Sequence, residues 1–289
     1  MSSRHIKVLF SILGIVTVVG GIFFSLRASG EEDVSFRNNE ASFAEVPSPA
    51  SSTPLSVIAA TSSPMKIPIL VYHIVRPAYP TDSRAVRALA QTPEVFDAQM
   101  QYLAEAGYHV IPFRLFEDHL LKNAPLPSNP IVLTFDDGWS DQFTYAFPIL
   151  EKYHYTATFF IFTNPIGHHG FLTWEDLQKL LAAGMTIGSH TLSHPFLTKI
   201  TNPAILWNEI DGSKQILEKK LGITVREFAY PFGQYNATTT ALLKQAGYVV
   251  ARGDYVMRGN VQSADNLYAL SALNAPTSLE LFKRTFPAH

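Results

Sequence analysis

The 289-residue chain contains no cysteine. Disulfide bonds, thiolate metal ligands and lipid-modified cysteines are therefore excluded. The chain also lacks an excess of positive charge, because 22 Lys and Arg residues stand against 24 Asp and Glu residues. Proteins that bind nucleic acid normally present a basic surface, so this balance argues against a nucleic acid partner. Apolar residues make up 47% of the chain, which is enough for a sizeable folded core.

Charged residues are also absent from a long stretch near the N-terminus. Val8–Leu26 is a run of 19 residues without a charged side chain. As an α-helix it would be about 28 Å long, close to the hydrocarbon thickness of a bilayer. Arg4 and Lys7 precede the run and three acidic residues follow it, which predicts a cytoplasmic N-terminus and an extracytoplasmic remainder. We expect residues 1–27 to anchor the chain in a membrane; a cleaved signal segment, and hence secretion, is the alternative.

The segment after this stretch has the composition of a linker. Residues 28–66 are rich in Ser, Pro, Ala and Glu, as in "EVPSPASSTPLSVIAATSSP". They show no regular spacing of apolar residues, so we predict a disordered linker. The folded domain is then expected to comprise residues 67–289.

Within residues 67–289, helical stretches that end in glycine are followed by short apolar runs. Examples are "QYLAEAGYHVIPF", "LQKLLAAGMTIGSH" and "LLKQAGYVVARG". Glycine after the last helical residue, followed by a β-rich run, is typical of a helix-to-strand junction. Runs such as "IVLTF" and "TATFFIF" are almost wholly apolar, as strands covered on both faces are. About seven such strands alternate with helices, which predicts an α/β fold with a parallel (β/α) barrel.

Polar residues stand where several predicted strands end. "ILVYH" ends at His73, "IVLTF" is followed by Asp136 and Asp137, and "MTIGS" is followed by His190 and, four residues later, His194. In a parallel barrel the carboxyl ends of the strands meet at one rim, where active sites lie. The sequence therefore predicts that these side chains form one site.

The residue types at this rim suit a metal centre. Two histidines four residues apart on a turn can bind one ion, and a carboxylate is a natural third ligand that leaves positions open for water and substrate. Asp136 and Asp137 point in different directions if they end a strand, so one can bind the metal while the other acts on its water. The residues alone also allow a simple "DDG" turn and two surface histidines on a turn rich in Ser and Thr.

"TFDDG" followed by "SHTLSH" resembles the first two motifs of the NodB-like polysaccharide deacetylases, carbohydrate esterase family 4. The resemblance implies a distorted (β/α)7 barrel that removes acetyl groups from N-acetylated sugars with the help of a divalent metal, usually zinc. It also implies that Asp136 is the catalytic base and that Asp137, His190 and His194 are the metal ligands.

Two further segments resemble parts of this family. "IPILVYHIV" is similar to the opening of a circularly permuted subgroup that includes exported poly-N-acetylglucosamine deacetylases. The histidine after the first strand is the general acid there, and His73 matches it. "FAYPFG" resembles the third motif, which forms one wall of the sugar groove. We therefore expect Tyr230, Pro231 and Phe232 to bind substrate, together with Trp139, which follows the Asp pair closely.

The sequence departs from the family pattern at two positions. Many members carry an arginine that braces the catalytic aspartate, and Ala229 occupies its place. A later segment that often reads Leu-Pro-Arg has Ala272 instead. The sequence does not show which residue replaces these arginines.

The expected function is metal-dependent hydrolysis of N-acetyl groups on a polymer of N-acetylglucosamine, with release of acetate. Poly-N-acetylglucosamine, peptidoglycan and chitin-like chains are all compatible substrates. Three alternatives stay open: a carbohydrate-binding protein of the same fold without activity, a deacylase that acts on a non-sugar amide, and a structural envelope protein with an incidental metal.

Overall fold

The computed structural model describes residues 65–255 and 261–289. The predicted membrane anchor and almost all of the predicted linker lie outside these ranges. Within them, the structure contains no helix with the length and apolar character that crossing a bilayer requires.

Twelve strands, most of them short, lie in the described ranges: β1 Met65–Lys66, β2 Ile69–Tyr72, β3 Ile74–Val75, β4 Ala90–Gln91, β5 His109–Val110, β6 Pro130–Asp136, β7 Thr158–Ile161, β8 Thr186–Ser189, β9 Glu227–Ala229, β10 Val250–Tyr255, β11 Val261–Gln262 and β12 Leu270–Asn274.

Nine α-helices accompany them in the same ranges: α1 Arg84–Leu89, α2 Pro93–Glu105, α3 Phe113–Lys122, α4 Phe147–Lys152, α5 Trp174–Ala182, α6 Pro203–Trp207, α7 Ser213–Leu221, α8 Ala237–Gln245 and α9 Leu279–Thr285. Side chains before several of them accept a backbone N–H of the first turn, as Thr173 does for α5 and Asn236 for α8. Such caps fix where a helix begins, because the first N–H groups have no partner inside the helix.

Seven of the described strands close into a parallel barrel. Their order is β2, β6, β7, β8, β9, β10 and β12, and β12 pairs with β2 again. Strand β5 adds to the first residues of β6. The structure thus confirms the seven-stranded parallel barrel that the sequence predicted.

The barrel has an inner and an outer core, and β6 contributes to both. Ile131, Leu133 and Phe135 belong to the cluster between strands and helices, whereas Val132 belongs to the cluster inside the barrel. Since side chains alternate along a strand, Asp136 shares the inward face of Val132.

One end of the barrel is covered by α3. Phe113 and Phe116 of this helix pack in the inner cluster, and Glu117 receives hydrogen bonds from Arg226, the residue directly before β9. Helix α3 therefore covers the amino ends of the strands. The carboxyl ends carry the polar residues identified above.

Candidate metal centre and active site

The residues predicted to form one site do come together at the carboxyl ends of the barrel strands. Asp136 is the last residue of β6, His73 follows β2, and His190 follows β8. His73 and His190 line a cavity of about 300 Å³, together with Leu89, Asp137, His194, Phe232 and Asn274.

Asp137, His190 and His194 form the cluster that can hold a metal ion. Asp137 Oδ1 lies 3.7 Å from His190 Nε2 and 3.4 Å from His194 Nε2, and one donor atom from each residue lies within 4.8 Å of the others. Nitrogen and oxygen ligands about 2.1 Å from a tetrahedral ion lie about 3.4 Å from one another. The spacing therefore fits three ligands of a single divalent ion.

The protonation states of the two histidines suit metal binding. His190 Nδ1 lies 2.7 Å from the Ala229 carbonyl oxygen, so it carries the hydrogen and leaves Nε2 free to bind. Burial lowers the pKa of His190 to about 3 and also lowers the pKa of His194. Both rings are therefore neutral near pH 7, as metal ligands must be.

Trp139 holds the third ligand. Its indole N–H donates to Asp137 Oδ2 at 3.0 Å, which leaves Oδ1 facing the histidines. The indole ring stacks on Phe171, with centroids 4.6 Å apart. Burial raises the pKa of the Asp137 carboxyl, so its ionised form needs a compensating positive charge. A cation at the cluster fits that requirement.

The backbone that presents the ligands is in an uncommon conformation. Asp137, Thr191 and His194 have φ values of 73°, 76° and 59°, in the left-handed region that non-glycine residues seldom occupy. Such conformations persist only where surrounding contacts hold them in place. Thr191 Oγ1 supplies one such contact, because it accepts the His194 N–H at 2.9 Å.

Glu209 supplies the other contacts in the loop that carries His194. Its carboxylate accepts the N–H groups of Leu192 and Ser193, both at 3.0 Å, and the Ser193 hydroxyl at 2.6 Å. Glu209 is nearly buried and lies in a π-helical turn, Asn208–Gly212; such turns are frequent at functional sites. No motif in the sequence indicated this residue, because only the fold brings it to the loop.

Asp136 lies beside the metal cluster and is completely buried. Arg252 Nη2 donates to Asp136 Oδ1. Asp136 Oδ2 receives no hydrogen bond from any described residue and lies 3.9 Å from His73 Nε2. Burial by itself raises the pKa of Asp136, but Arg252, His190 and His73 outweigh it, so the pKa lies below its ordinary value. Asp136 is thus ionised, and its Oδ2, close to His73, has no hydrogen-bond donor among the described residues.

Arg252 supplies the positive charge beside Asp136 that the sequence lacks at Ala229 and Ala272. It lies on β10, where its register partner on β9 is Ala229, and Ala272 lies on the strand at the other side of β10. Both alanines line the barrel interior, and their small side chains leave room for the guanidinium of Arg252. The arginine is therefore present on the strand between the two expected positions. Its signal in the sequence was a single basic residue in the apolar run "YVVARG".

Of the four residues predicted to bind sugar, only Phe232 lines the cavity. Trp139 contacts Asp137, as described above. Tyr230 and Pro231 are buried, and neither lines the cavity. The Tyr230 hydroxyl donates to the Tyr268 carbonyl oxygen at 3.1 Å, and its N–H donates to the Arg252 carbonyl oxygen at 3.0 Å, so neither group points at the site. Phe232 is 44% exposed and lines the cavity.

This arrangement can be compared with known proteins. A family model described as "Polysaccharide deacetylase" matches residues 123–251. The match includes both aspartates and both histidines of the cluster. This chain contains a NodB-like polysaccharide deacetylase domain.

Relatives of the deacetylase domain support the same assignment. YxkH of Bacillus subtilis, a protein named for its similarity to polysaccharide deacetylases, is 29% identical over 210 residues, which are 73% of this chain and 71% of YxkH. A poly-β-1,6-N-acetyl-D-glucosamine N-deacetylase of Staphylococcus aureus is 25% identical over 62% of this chain and 68% of its own length. Among solved structures, the deacetylase PplD of Streptococcus pyogenes in complex with acetate has a TM-score of 0.70 and 29% identity, over 78% of this chain and 99% of PplD.

Proposed function

We propose that the deacetylase domain hydrolyses N-acetyl groups on a polymer of N-acetylglucosamine and needs a divalent metal, zinc, to do so. The observation that carries this proposal is the placement of Asp136, braced by Arg252, beside the cluster of Asp137, His190 and His194. A relative named as a poly-β-1,6-N-acetyl-D-glucosamine N-deacetylase and a similar deacetylase solved with acetate support it.

The proposed role of each side chain follows from its position. A zinc ion bound at the cluster would polarise the acetyl carbonyl and lower the pKa of water. Asp136 Oδ2 has no hydrogen-bond donor among the described residues, so it can accept a proton from the attacking water. Arg252 keeps this carboxylate ionised and fixes its orientation.

His73 lines the same cavity as the metal cluster and is the general acid. As the C–N bond of the acetamido group breaks, the leaving nitrogen must gain a proton, which His73 Nε2 can donate. The attacking water supplies the new oxygen of the acetate. The products are acetate and a free amino sugar, and no covalent enzyme intermediate is required.

Two observations support this function against two of the three alternatives. An inactive sugar-binding protein would not need a braced Asp136, whereas Arg252 pairs with this carboxylate. Phe232 is an exposed aromatic ring beside the metal cluster, and such a ring suits the apolar face of a sugar. This feature supports a sugar substrate over a non-sugar amide.

We also propose that residues 1–27 anchor the domain outside the cell membrane and that residues 28–66 give it reach. The sequence pattern at Val8–Leu26 supports this proposal. Membrane fractionation of the full chain, compared with a chain that starts at residue 57, tests it. Recovery of the full chain in the soluble fraction, with Val8–Leu26 still present, would disprove the anchor.

Acetate release is the direct test of function. The substrates are β-1,6- and β-1,4-linked N-acetylglucosamine oligomers and peptidoglycan, each assayed after chelation and after addition of zinc. We expect activity only with zinc, and its loss in Asp136→Asn and His73→Gln. Asp97→Asn removes a carboxylate that pairs with Lys152 on the surface and serves as the matched control. Acetate release that is equal with and without metal, or equal in Asp136→Asn, would refute the mechanism.

A further inference from the structure

We propose that Gln142 is a positioning residue whose side-chain amide holds His73, the proposed general acid, at a fixed distance from Asp136, the proposed base. This inference rests on the proposed function and deepens it. Gln142 Nε2 donates to the His73 carbonyl oxygen at 2.7 Å and to the Asp136 carbonyl oxygen at 2.5 Å. A primary amide has two N–H hydrogens, so each carbonyl receives one. One side chain thus joins the backbones of the two residues on which proton transfer depends.

His73 needs such a contact because it lies beyond the paired part of its strand. The pairing of β2 with β6 ends with Tyr72 opposite Phe135, and β2 itself ends at Tyr72. Asp136, by contrast, is still paired with β7, and Arg252 holds its carboxylate. Of the two residues, His73 is therefore the one whose position the amide of Gln142 decides.

The residue before Gln142 holds the same segment two residues further along. Asp141 Oδ1 accepts the Val75 N–H at 3.3 Å, so one turn binds both the His73 carbonyl and the Val75 N–H. Gln142 begins the π-helical turn Gln142–Ala146, and such turns are frequent at functional sites. The turn that follows the aspartate pair therefore also fixes the loop that carries the general acid.

The surroundings of Gln142 separate its role from direct contact with substrate. The side chain is completely buried and is not among the residues that line the metal cavity. Its Oε1 accepts no hydrogen bond from any described residue, and a buried polar atom without a partner lowers stability. The fold carries this cost at the point where both hydrogens of the amide bind the backbones of His73 and Asp136.

A comparison of two acetyl compounds tests the role, because they differ in their need for His73. The nitrogen of an acetamido group must gain a proton as the C–N bond breaks, whereas para-nitrophenyl acetate releases para-nitrophenolate as a stable anion. Both compounds need the attacking water and Asp136. A change that displaces His73 should therefore slow hydrolysis of the amide and spare that of the ester.

Gln142→Leu removes both hydrogen bonds and keeps a similar volume. On the zinc-saturated full chain, kcat for acetate release from N-acetylglucosamine oligomers should fall about 10- to 100-fold, as a misplacement of about 1 Å can cause. The kcat for para-nitrophenyl acetate should fall less than about threefold, because its leaving group takes no proton. Gln142→Glu is the second variant, should Gln142→Leu not fold. Burial keeps its carboxyl protonated with one hydrogen to donate, so its amide kcat should lie between wild type and Gln142→Leu.

Gln262→Leu is the matched control. Gln262 is also completely buried, and its Nε2 donates to the carbonyl oxygens of Ile67 at 3.2 Å and Ser271 at 2.7 Å. The same substitution there breaks the same kind of bridge away from the metal cavity. It should lower stability and leave the ratio of amide to ester kcat at the wild-type value. An equal loss of both activities in Gln142→Leu would overturn the proposal, because an unfolded fraction reduces both alike.

A structural measurement separates failure of the positioning role from failure of the proposed function. His73 Nε2 lies 3.9 Å from Asp136 Oδ2. Crystal structures of the zinc-loaded wild type and Gln142→Leu should show this distance retained in the wild type and longer by about 1 Å or more in the variant. If the wild type releases no acetate while the distance changes in this way, the proposed reaction fails and the positioning role stands. An unchanged distance in Gln142→Leu would disprove that role whatever the activity.

Discussion

Arg252 and Asp136, 116 residues apart in the sequence, form an ion pair that is completely buried inside the barrel. Arg252 also lies with its guanidinium carbon 4.7 Å from the centre of the Phe160 ring. The pair connects β10 with the end of β6. It places a fixed positive charge behind the carboxylate that we propose as the catalytic base.

Arg252→Met should therefore change the pH dependence of the reaction. Without the guanidinium the pKa of Asp136 rises, because burial then acts against the charged form with less compensation. A base works only when ionised, so the acid limb of the kcat/KM profile should move to higher pH, and the maximum should fall by about 100-fold or more. An acid limb that stays in place would contradict the assigned role of Arg252.

The same substitution should also lower stability. Removing one partner of a buried ion pair costs about 3–5 kcal/mol, since it leaves an uncompensated charge. Asp136→Asn in the Arg252→Met background should recover part of this loss, which denaturant unfolding measures. No recovery in the double variant would indicate that lost packing, and not charge, accounts for the effect.

Trp139→Phe tests whether Trp139 acts on the metal ligand or on the substrate. Phenylalanine keeps a ring against Phe171 but cannot donate to Asp137 Oδ2. Zinc affinity, measured by competition with a chelator, should fall about tenfold, as is typical when a partner of a metal ligand is lost. The KM for the substrate should change less than twofold. Trp174→Phe, on α5, is the control; the reverse pattern, a changed KM with unchanged zinc affinity, would support direct substrate binding.

Glu209 should stabilise the loop that carries His194. Glu209→Ala removes the acceptor of three hydrogen bonds, and we expect it to weaken zinc binding about 10- to 100-fold. Glu209→Gln keeps one oxygen acceptor and should have a smaller effect. Glu175→Gln alters an exposed ion pair with Lys179 and should leave zinc affinity unchanged. Equal zinc affinity in wild type and Glu209→Ala would show that the loop holds its conformation without this carboxylate.

Glu227 should make stability depend on pH at the opposite end of the barrel. Burial, with Glu117 nearby, raises the pKa of Glu227 to about 7, above its ordinary value of 4.5. A raised carboxyl pKa contributes stability that is fully present below about pH 4.5 and is lost as the pH rises through about 7.

Glu227→Gln should therefore match the wild type at pH 4 and exceed its unfolding free energy at pH 8. The gain is up to about 3 kcal/mol, since each pKa unit corresponds to about 1.4 kcal/mol. Chemical denaturation at both pH values measures it. A difference that is the same at pH 4 and pH 8 would show that Glu227 does not titrate in this range.

Much of the barrel followed from local patterns in the sequence. The runs that became β2, β6 and β7 are apolar because both faces of a barrel strand are covered, and glycine after a helix fixes where the next strand begins. The residues of the candidate metal cluster were also predictable, since Asp137, His190 and His194 stand at or shortly after the ends of such runs. The order of strands in a parallel barrel then brings their ends to one rim.

The partners of these residues could not be predicted in the same way. Their contacts join segments that are far apart in the sequence or lie on opposite sides of a turn. Such contacts are made by Arg252, Glu209 and the indole of Trp139. Ala229 and Ala272 gave no sign of the arginine, because their role is to leave space for a side chain from the strand between them. Likewise, "FAYPFG" predicted three substrate-binding residues, whereas Tyr230 and Pro231 are buried and only Phe232 of the three is exposed.

The sequence by itself determined the barrel and the Asp137, His190 and His194 cluster at its rim, since strand periodicity and strand-end residues are local properties of a chain. The tertiary structure decided which charge braces Asp136, which contacts hold Asp137 and His194, and which aromatic ring lines the cavity. Those features depend on the register between strands and on the direction of single side chains. Both are fixed only when the whole barrel is packed.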